Sequence, residues 1–516
     1  MSKRYLVLGL LLLASCAAKE KAVISPSGPE FEQVVSAAAA LSRRGGYVAL
    51  RQAVQMYKEL YARPEFRKVI APELAATALL VAVREKELGI SNASYMDTAL
   101  QVITENRSLS GLTPYAEIAG LLWVQGKGVM GDIDERFPWK ETEDKLKKME
   151  ADLLLKARSD EFAAYMYAVM MCYSAPPFGV TFFDEADELG QLCELFPEST
   201  LLRYKRAICP QEKPDLLKGL LAVEPEFFEA YYFLGNDALR RGNLLEAEEF
   251  LLKAHDAIPE SPQTTILLAS IYLATEELDR SLEFHEKTLA LSPEYRDALL
   301  GKGICLSYLS RPAEAIPVFE KIIALGFWLL GESHYWLARN QHELKDNAAA
   351  AANIEQAKGR LPTSTEVFTL SGILAEERGD PAKAEKDFLE ALQYNPRNSE
   401  ALFNLGALYA RKEDWPNSGF YFEKAGFAFE NEGRSLQDKI AEILYSTLVP
   451  ERKERLLQRR KTQLEKALLS SATAFYNAAA GYNNAGQKNK ALEMAARAAE
   501  YPAFKQKAEE LASGIK

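Results

Sequence analysis

The sequence predicts an all-α chain, built as a stack of helical hairpins on a fixed period. Pro225, Pro259 and Pro293 lie 34 residues apart, twice in succession, and each follows an apolar helical stretch. Small residues recur in phase with them, at Gly235, Ala269, Gly303, Ala338, Gly372 and Gly406. The apolar–polar alternation that a half-buried strand needs is scarce throughout. A fixed interval of this length marks a repeat architecture, in which each unit buries its apolar face only against its neighbours.

Composition agrees. Of 516 residues, 48% are apolar and 26% charged, the balance of a chain that buries a large core rather than of a disordered one. The formal charge of −11 disfavours a nucleic-acid partner, because phosphate binding draws on clustered Lys and Arg. The one short basic stretch lies near residue 452.

The first element is an address. Lys3 and Arg4 precede an apolar run over 5–13 that is too short to span a bilayer, and small residues follow, as in a secretory signal peptide. Leu13-Ala14-Ser15-Cys16 resembles the lipobox of bacterial lipoproteins. That resemblance implies cleavage before Cys16, acylation of Cys16 and anchoring on the membrane. Several acyl chains hold a protein firmly where one binds marginally. Residues 1–15 are then the signal peptide. Residues 16–30 are the lipidated cysteine and a flexible Ser/Pro/Gly tether. Ala17, where an Asp tends to retain such lipoproteins at the inner membrane, leans toward the outer membrane facing the periplasm.

Residues 31–224 are expected to be helical. Helices are predicted over 31–41 and 47–60, separated by Arg43-Arg44-Gly45-Gly46, and then over 73–87, 92–105, 113–125, 138–157 and 159–172. Residues 174–184 form the clearest non-helical stretch. We expect degenerate hairpins of the same array here, with a separate helical domain as the alternative. Cys172, Cys193 and Cys209 are close enough in sequence for one disulfide among them. Spacing does not fix geometry, and buried small apolar residues are the preferred reading for them and for Cys305.

Six units fill 225–432. The unit from Phe228 carries Tyr231, Leu234-Gly235, Ala247, Leu251, Ala254 and Pro259; that from Pro262 carries Leu268-Ala269, Tyr272, Ser281, His285 and Pro293. Arg296 opens a third unit with Leu299, Gly303, Ala315 and Phe319. After a one-residue insertion, Leu337-Ala338, Ala350, Ala357 and Pro362 mark the fourth. The fifth has Phe368, Gly372, Ala384, Phe388, Ala391 and Pro396, and the sixth Leu402, Leu405-Gly406, Tyr409, Phe422 and Ala425. The series resembles the tetratricopeptide repeat family. In that family small residues at positions 8 and 20 let two helices of a hairpin close up. Position 27 lets the next hairpin stack, and Pro at 32 ends the second helix, having no amide hydrogen. The implied fold is a tetratricopeptide-repeat α-solenoid. Residues 433–471 are expected to be a charged linking helix with a solvated side, and 472–516 a terminal repeat-like unit with a capping helix.

No chemistry of catalysis is expected. His255, His285, His334 and His342 show no metal spacing, and phosphate-loop and nucleophile-elbow signatures are missing from the sequence. The expectation is therefore no enzyme, no metal and no cofactor. The family resemblance instead implies a binding wall at positions 2, 5, 9 and 12 of each first helix. In this chain those positions include Glu229, Tyr232 and Asn236; Gln263, Ile266 and Ser270; Asp297, Leu300 and Ile304; Glu332, Tyr335, Arg339 and His342; Glu366, Thr369 and Ile373; and Glu400, Phe403 and Ala407. Such a mixed wall suits an extended peptide or a partner helix. Acids at position 2 are also what a first helical turn favours. Of the residues that clamp a C-terminal carboxylate in chaperone-binding relatives, only Asn236 has a counterpart here.

The expected function is that of a membrane-anchored scaffold lipoprotein of the bacterial cell envelope that binds a partner protein or peptide. The alternative is a small-ligand (sugar or solute) binding lipoprotein, with a pocket amid the N-terminal helices near Tyr165, Tyr167 or Trp123.

Overall fold

The structure, a computed structural model, describes residues 29–90, 94–125, 139–174, 185–209, 213–326, 330–446 and 448–515. The leader, Cys16 and nearly all of the tether lie outside them, as do residues 175–184 and the side chain of Trp123. Among the described residues there are helices and no strand, which settles the all-α class. No described helix is long and apolar enough to cross a membrane.

The chain divides into two compact units, Met1–Ile271 with Glu283–Tyr295, and Tyr272–Leu282 with Arg296–Lys516. The first holds α1 (Pro29–Arg44), α2 (Tyr47–Tyr61), α3 (Arg67–Glu87), α4 (Ser94–Glu105), α5 (Thr113–Gln125), α6 (Trp139–Ala157), α7 (Glu161–Ser174), α8 (Glu185–Leu195), α9 (Thr200–Ile208) and α10 (Pro214–Val223), followed by the first repeat, α11 (Phe228–Arg240) and α12 (Leu244–Ala257). Of these, α1 to α7 begin and end close to the predicted bounds, except that α3 runs back through Pro72 to Arg67.

The core of the first unit packs Leu50, Val54, Tyr57, Leu74, Leu79, Val83, Met166, Val169 and Leu202. Within it sits a fully buried charge network. Glu87 accepts from the Arg84 guanidinium (2.7 Å), from the Tyr204 hydroxyl (3.1 Å) and from Lys205. The Arg84 guanidinium also lies 3.8 Å from the Tyr204 ring centroid and 3.6 Å from Glu229. Two cations against two carboxylates keep the group neutral, without which burial would be prohibitive. Cys172 and Cys209 are joined as a disulfide, their Cα atoms 5.8 Å apart, while Cys193 and Cys305 are free and buried. This corrects the expectation that all four are buried thiols. The fold brings the end of α7 beside the end of α9, which sequence spacing alone does not reveal.

The repeats continue as α13 (Pro262–Ala274), α14 (Leu278–Leu291), α15 (Arg296–Tyr308), α16 (Pro312–Leu325), α17 (Leu330–Glu343), α18 (Asn347–Arg360), α19 (Thr365–Glu377), α20 (Pro381–Tyr394) and α21 (Ser399–Arg411). Their period has a visible steric cause. A Cβ built on Gly235 would stand 2.6 Å from Leu251, on Gly303 2.5 Å from Phe319, on Gly372 2.5 Å from Phe388 and on Gly406 2.7 Å from Phe422. Each second-helix side chain fills the volume that a methyl on the first helix would take. Where the small residue is alanine, as at Ala338, the partner is the slimmer Ile354. Full burial of such a side chain contributes about 1.5–3 kcal/mol.

The turn inside each hairpin is also shared. Glu277, Arg311, Asp346, Asp380 and Asp414 each donate their amide hydrogen to a carbonyl five residues back, at 2.7–2.9 Å. The residue before each is left-handed: Gly379 is joined by the non-glycines Glu276, Ser310, Lys345 and Glu413. Asp346, Asp380 and Asp414 then cap the second helix, accepting from the amide three residues on.

Beyond the sixth repeat the expected boundaries give way. No separate linking helix spans 433–471. Instead α22 (Trp415–Tyr445) carries the sixth repeat's second helix onward, and α23 (Pro450–Asn484) begins the terminal unit, which α24 (Lys488–Ala499) and α25 (Lys505–Gly514) complete. No proline or C-capping glycine interrupts 434–445. Pro450, suited to a first helical turn, starts the return. Nor is the basic side of the return merely solvated, since Arg452, Arg459 and Arg460 bind the turn between α13 and α14.

Candidate functional site

The structure sorts the predicted wall residues into two groups. Glu229 is fully buried. Its carboxylate accepts the Tyr47 amide at 2.6 Å, standing in for a side-chain cap that Gly46 lacks at the start of α2. Burial pushes its carboxyl up to about 7, against the pull of Arg84 and the amide bonds. Tyr232 and Ile266 are buried too. The structure thus withdraws Glu229, Tyr232 and Ile266 from any accessible wall, because all three are buried, Glu229 against the start of α2. Asn236 stays half-exposed.

The second group lies in the second unit on α15, α17, α19 and α21. Asp297, Glu366 and Glu400 are exposed, and Glu332, Tyr335, Arg339 and Phe403 half-exposed. Capping positions these helices: Ser364 accepts from the Val367 amide and Asn398 from the Ala401 amide, fixing where α19 and α21 begin. The acids are one repeat apart and recur on the same side of successive helices. Burial raises the Tyr335 hydroxyl. Arg339 opposes the shift, and Glu366 and Glu400 add to it, so the tyrosine lies in the field of acids from the next two repeats.

Arg339 anchors an aromatic cluster that sequence reading did not assemble. Its guanidinium lies 5.0 Å from the Trp336 ring and 5.5 Å from the Tyr308 ring, and Trp336 meets Tyr308 and Tyr335 edge-on at 5.3 and 5.4 Å. Tyr308 is 49% exposed. It ends α15, one repeat before the α17 helix that carries Arg339, so the signal was a contact between adjacent repeats rather than a repeat position. At the other end of the wall Phe403 packs edge-on against Phe422 and Phe429. Apolar and cationic groups flanked by acids offer stacking, aliphatic contact and charge pairing within one strip.

Other expected residues have local roles. His334 hydrogen-bonds Asn353 at 2.8 Å, and His342 bonds Glu377 at 3.0 Å. His255 meets Phe284 edge-on, and His285 is buried with neither ring nitrogen hydrogen-bonded. No group of three or more His, Cys, Asp or Glu suited to a metal occurs among the described residues. Tyr165 is buried beside Arg84, and buried Tyr167 donates to Glu188 at 3.0 Å, so both belong to the first unit's packing.

Comparison with known proteins finds tetratricopeptide repeats in this chain. A family model described as tetratricopeptide repeat matches residues 215–262 and 369–428. Cellulose synthase operon protein C of Pseudomonas fluorescens (strain SBW25) is 27% identical over 175 residues, covering 34% of this chain and 12% of that protein. Tetratricopeptide repeat protein 6 of Homo sapiens is 26% identical over 247 residues, covering 47% of this chain and 40% of that protein. The chain thus spans less than half the length of either curated relative. Among solved structures, YrrB, titled a TPR protein with an unusual peptide-binding site, is 25% identical with a TM-score of 0.30, covering 35% of this chain and 93% of its own. Packing, period and family match together establish that the chain is an all-α protein carrying tetratricopeptide repeats.

Proposed function

We propose that this chain is a binding protein that holds a peptide or a segment of a partner protein along the first helices of its third to sixth repeats. One observation carries the proposal. Asp297, Glu332, Glu366 and Glu400 recur at the repeat interval on accessible helix faces, beside half-exposed Tyr335, Arg339 and Phe403. A strip of this kind complements an extended or helical segment bearing aliphatic and basic side chains. The lipobox residues Leu13-Ala14-Ser15-Cys16 support a finer proposal. In it the chain is a scaffold lipoprotein anchored through Cys16 in a bacterial cell envelope, at the outer membrane facing the periplasm.

The test is capture from detergent-solubilised envelopes. The wild-type chain is expected to recover a stoichiometric protein, and the variant Asp297→Asn/Glu366→Gln/Glu400→Gln, changed only at exposed acids of the wall, to lose it while melting at an unchanged temperature. Equal capture by the variant would remove this wall as the site. Strong stabilisation by a sugar or amino acid, with no protein captured, would favour a small-ligand role instead. Cys16→Ser should release the chain from membranes, and retention of the cleaved variant would refute the anchor.

A further inference from the structure

The α22–α23 hairpin is tied at two places and by different forces. Near its root the contact is steric: a Cβ on Gly426 would stand 2.6 Å from the Phe475 ring, and the Ser471 hydroxyl donates to the Gly426 carbonyl at 2.9 Å. Further out the two helices still touch, Leu464 and Leu468 lying about Gly433 at ordinary contact distance. The outer part of α23, where Leu456 is also buried, meets the turn between α13 and α14 through charged groups. Arg459 donates to the Glu276 carboxylate (2.9 Å) and to its carbonyl (3.1 Å), while Arg460 (2.6 Å) and Gln463 (3.0 Å) donate to the same carboxylate. Arg452 pairs with Glu277. Lys461, Thr462, Glu465 and Lys466 between latch and root are exposed, and Tyr445 at the tip is 90% exposed.

Like Ser310, Lys345 and Glu413, Glu276 is a non-glycine in a left-handed turn. It holds φ at +60°, at the turn position where Gly242, Gly379 and Gly486 stand in sister repeats. A side chain there costs backbone strain that glycine avoids. The carboxylate that bears this cost is the one engaged by three side chains of α23. Burial alone would raise its carboxyl. Arg460, Gln463 and Arg459 outweigh burial and hold it below the usual carboxylate range.

We propose that the α22–α23 hairpin is a releasable strap within the second unit, latched electrostatically onto that unit's Tyr272–Leu282 segment at Glu276. Arg459 lies about 18 Å of helix from Ser471, so the strap reaches that segment along α23 itself. Salt screens the Arg459–Glu276 pair, 34% and 30% exposed, more than the buried Arg452–Glu277 pair, and leaves the glycine–aromatic root untouched. The latched and released states therefore differ at the outer strap alone.

Hydrogen exchange on the full chain tests this. Glu276→Gly removes the latch's central carboxylate while easing the turn, so a loss of protection cannot be laid to misfolding; Arg459→Gln/Arg460→Gln removes its charged partners from the other side, and Arg452–Glu277 stays in both. Both variants are expected to speed amide exchange over 450–463 by about tenfold or more, with α19–α21 unchanged. Wild type in 1 M sodium chloride, where the Debye length is about 3 Å, should move in the same direction by a smaller factor, because the Arg452–Glu277 pair is buried. Wild-type exchange rates over 450–463 in either variant would overturn the strap.

Discussion

The α-carbon of Gly303 faces the ring of Phe319 so closely that a methyl placed there would lie 2.5 Å from Cζ. The pair is one instance of a rule that runs through the array, in which the first helix yields the volume its partner's side chain fills. Gly303→Ala should therefore destabilise the chain by about 1–3 kcal/mol through overpacking, despite alanine's better helix propensity. Adding Phe319→Ile, which copies the Ala338–Ile354 pairing, should recover most of the loss. Denaturant titration of the two variants checks both signs. A neutral Gly303→Ala would show that the ring moves aside freely.

His285 occupies the corresponding second-helix position of the second repeat, and burial lowers its pKa from 6.5 to about 4. A base held neutral by burial binds fewer protons folded than unfolded. Its contribution is thus intact above about pH 6.5 and lost as pH falls toward 4, amounting to about 2 kcal/mol by pH 5. His285→Ile, matched to the alanine at position 269, should flatten melting temperature against pH across that window. An unchanged acid slope in the variant would assign the loss to other groups.

The disulfide between Cys172 and Cys209 closes a separation of 37 residues. Cross-linking a loop of that length restricts the unfolded chain by about 3–4 kcal/mol. Cys172→Ala/Cys209→Ala, or reductant, should lower the melting temperature of the first unit, and reductant should add nothing to the double variant.

Glu87 is the acceptor around which Arg84, Tyr204 and Lys205 gather, all of them buried in the first unit. Glu87→Ala would leave two buried cations facing Glu229 alone, a loss of about 3–5 kcal/mol. Glu87→Ala/Lys205→Met restores the charge balance and should recover a large part of it. A double variant no more stable than Glu87→Ala would show that Lys205 does not contribute through its charge.

What the sequence determined was set by local and periodic rules. Proline and small residues at one interval dictate paired helices, because a helix ends where an amide hydrogen is missing and two helices approach only where side chains are small. The paired helices of the repeats and the small residues at their contacts were legible for that reason. Contacts between residues far apart in sequence carry no such period, and the tertiary structure alone decided them. It buried Glu229, whose repeat position is that of an exposed acid, because the start of α2 lacked a cap. It also joined Cys172 to Cys209 and assembled the Tyr308–Trp336–Arg339 cluster. Finally it turned the basic side of α23 from a solvated face into a clasp on Glu276, since a charge finds its partner through space and not through sequence order.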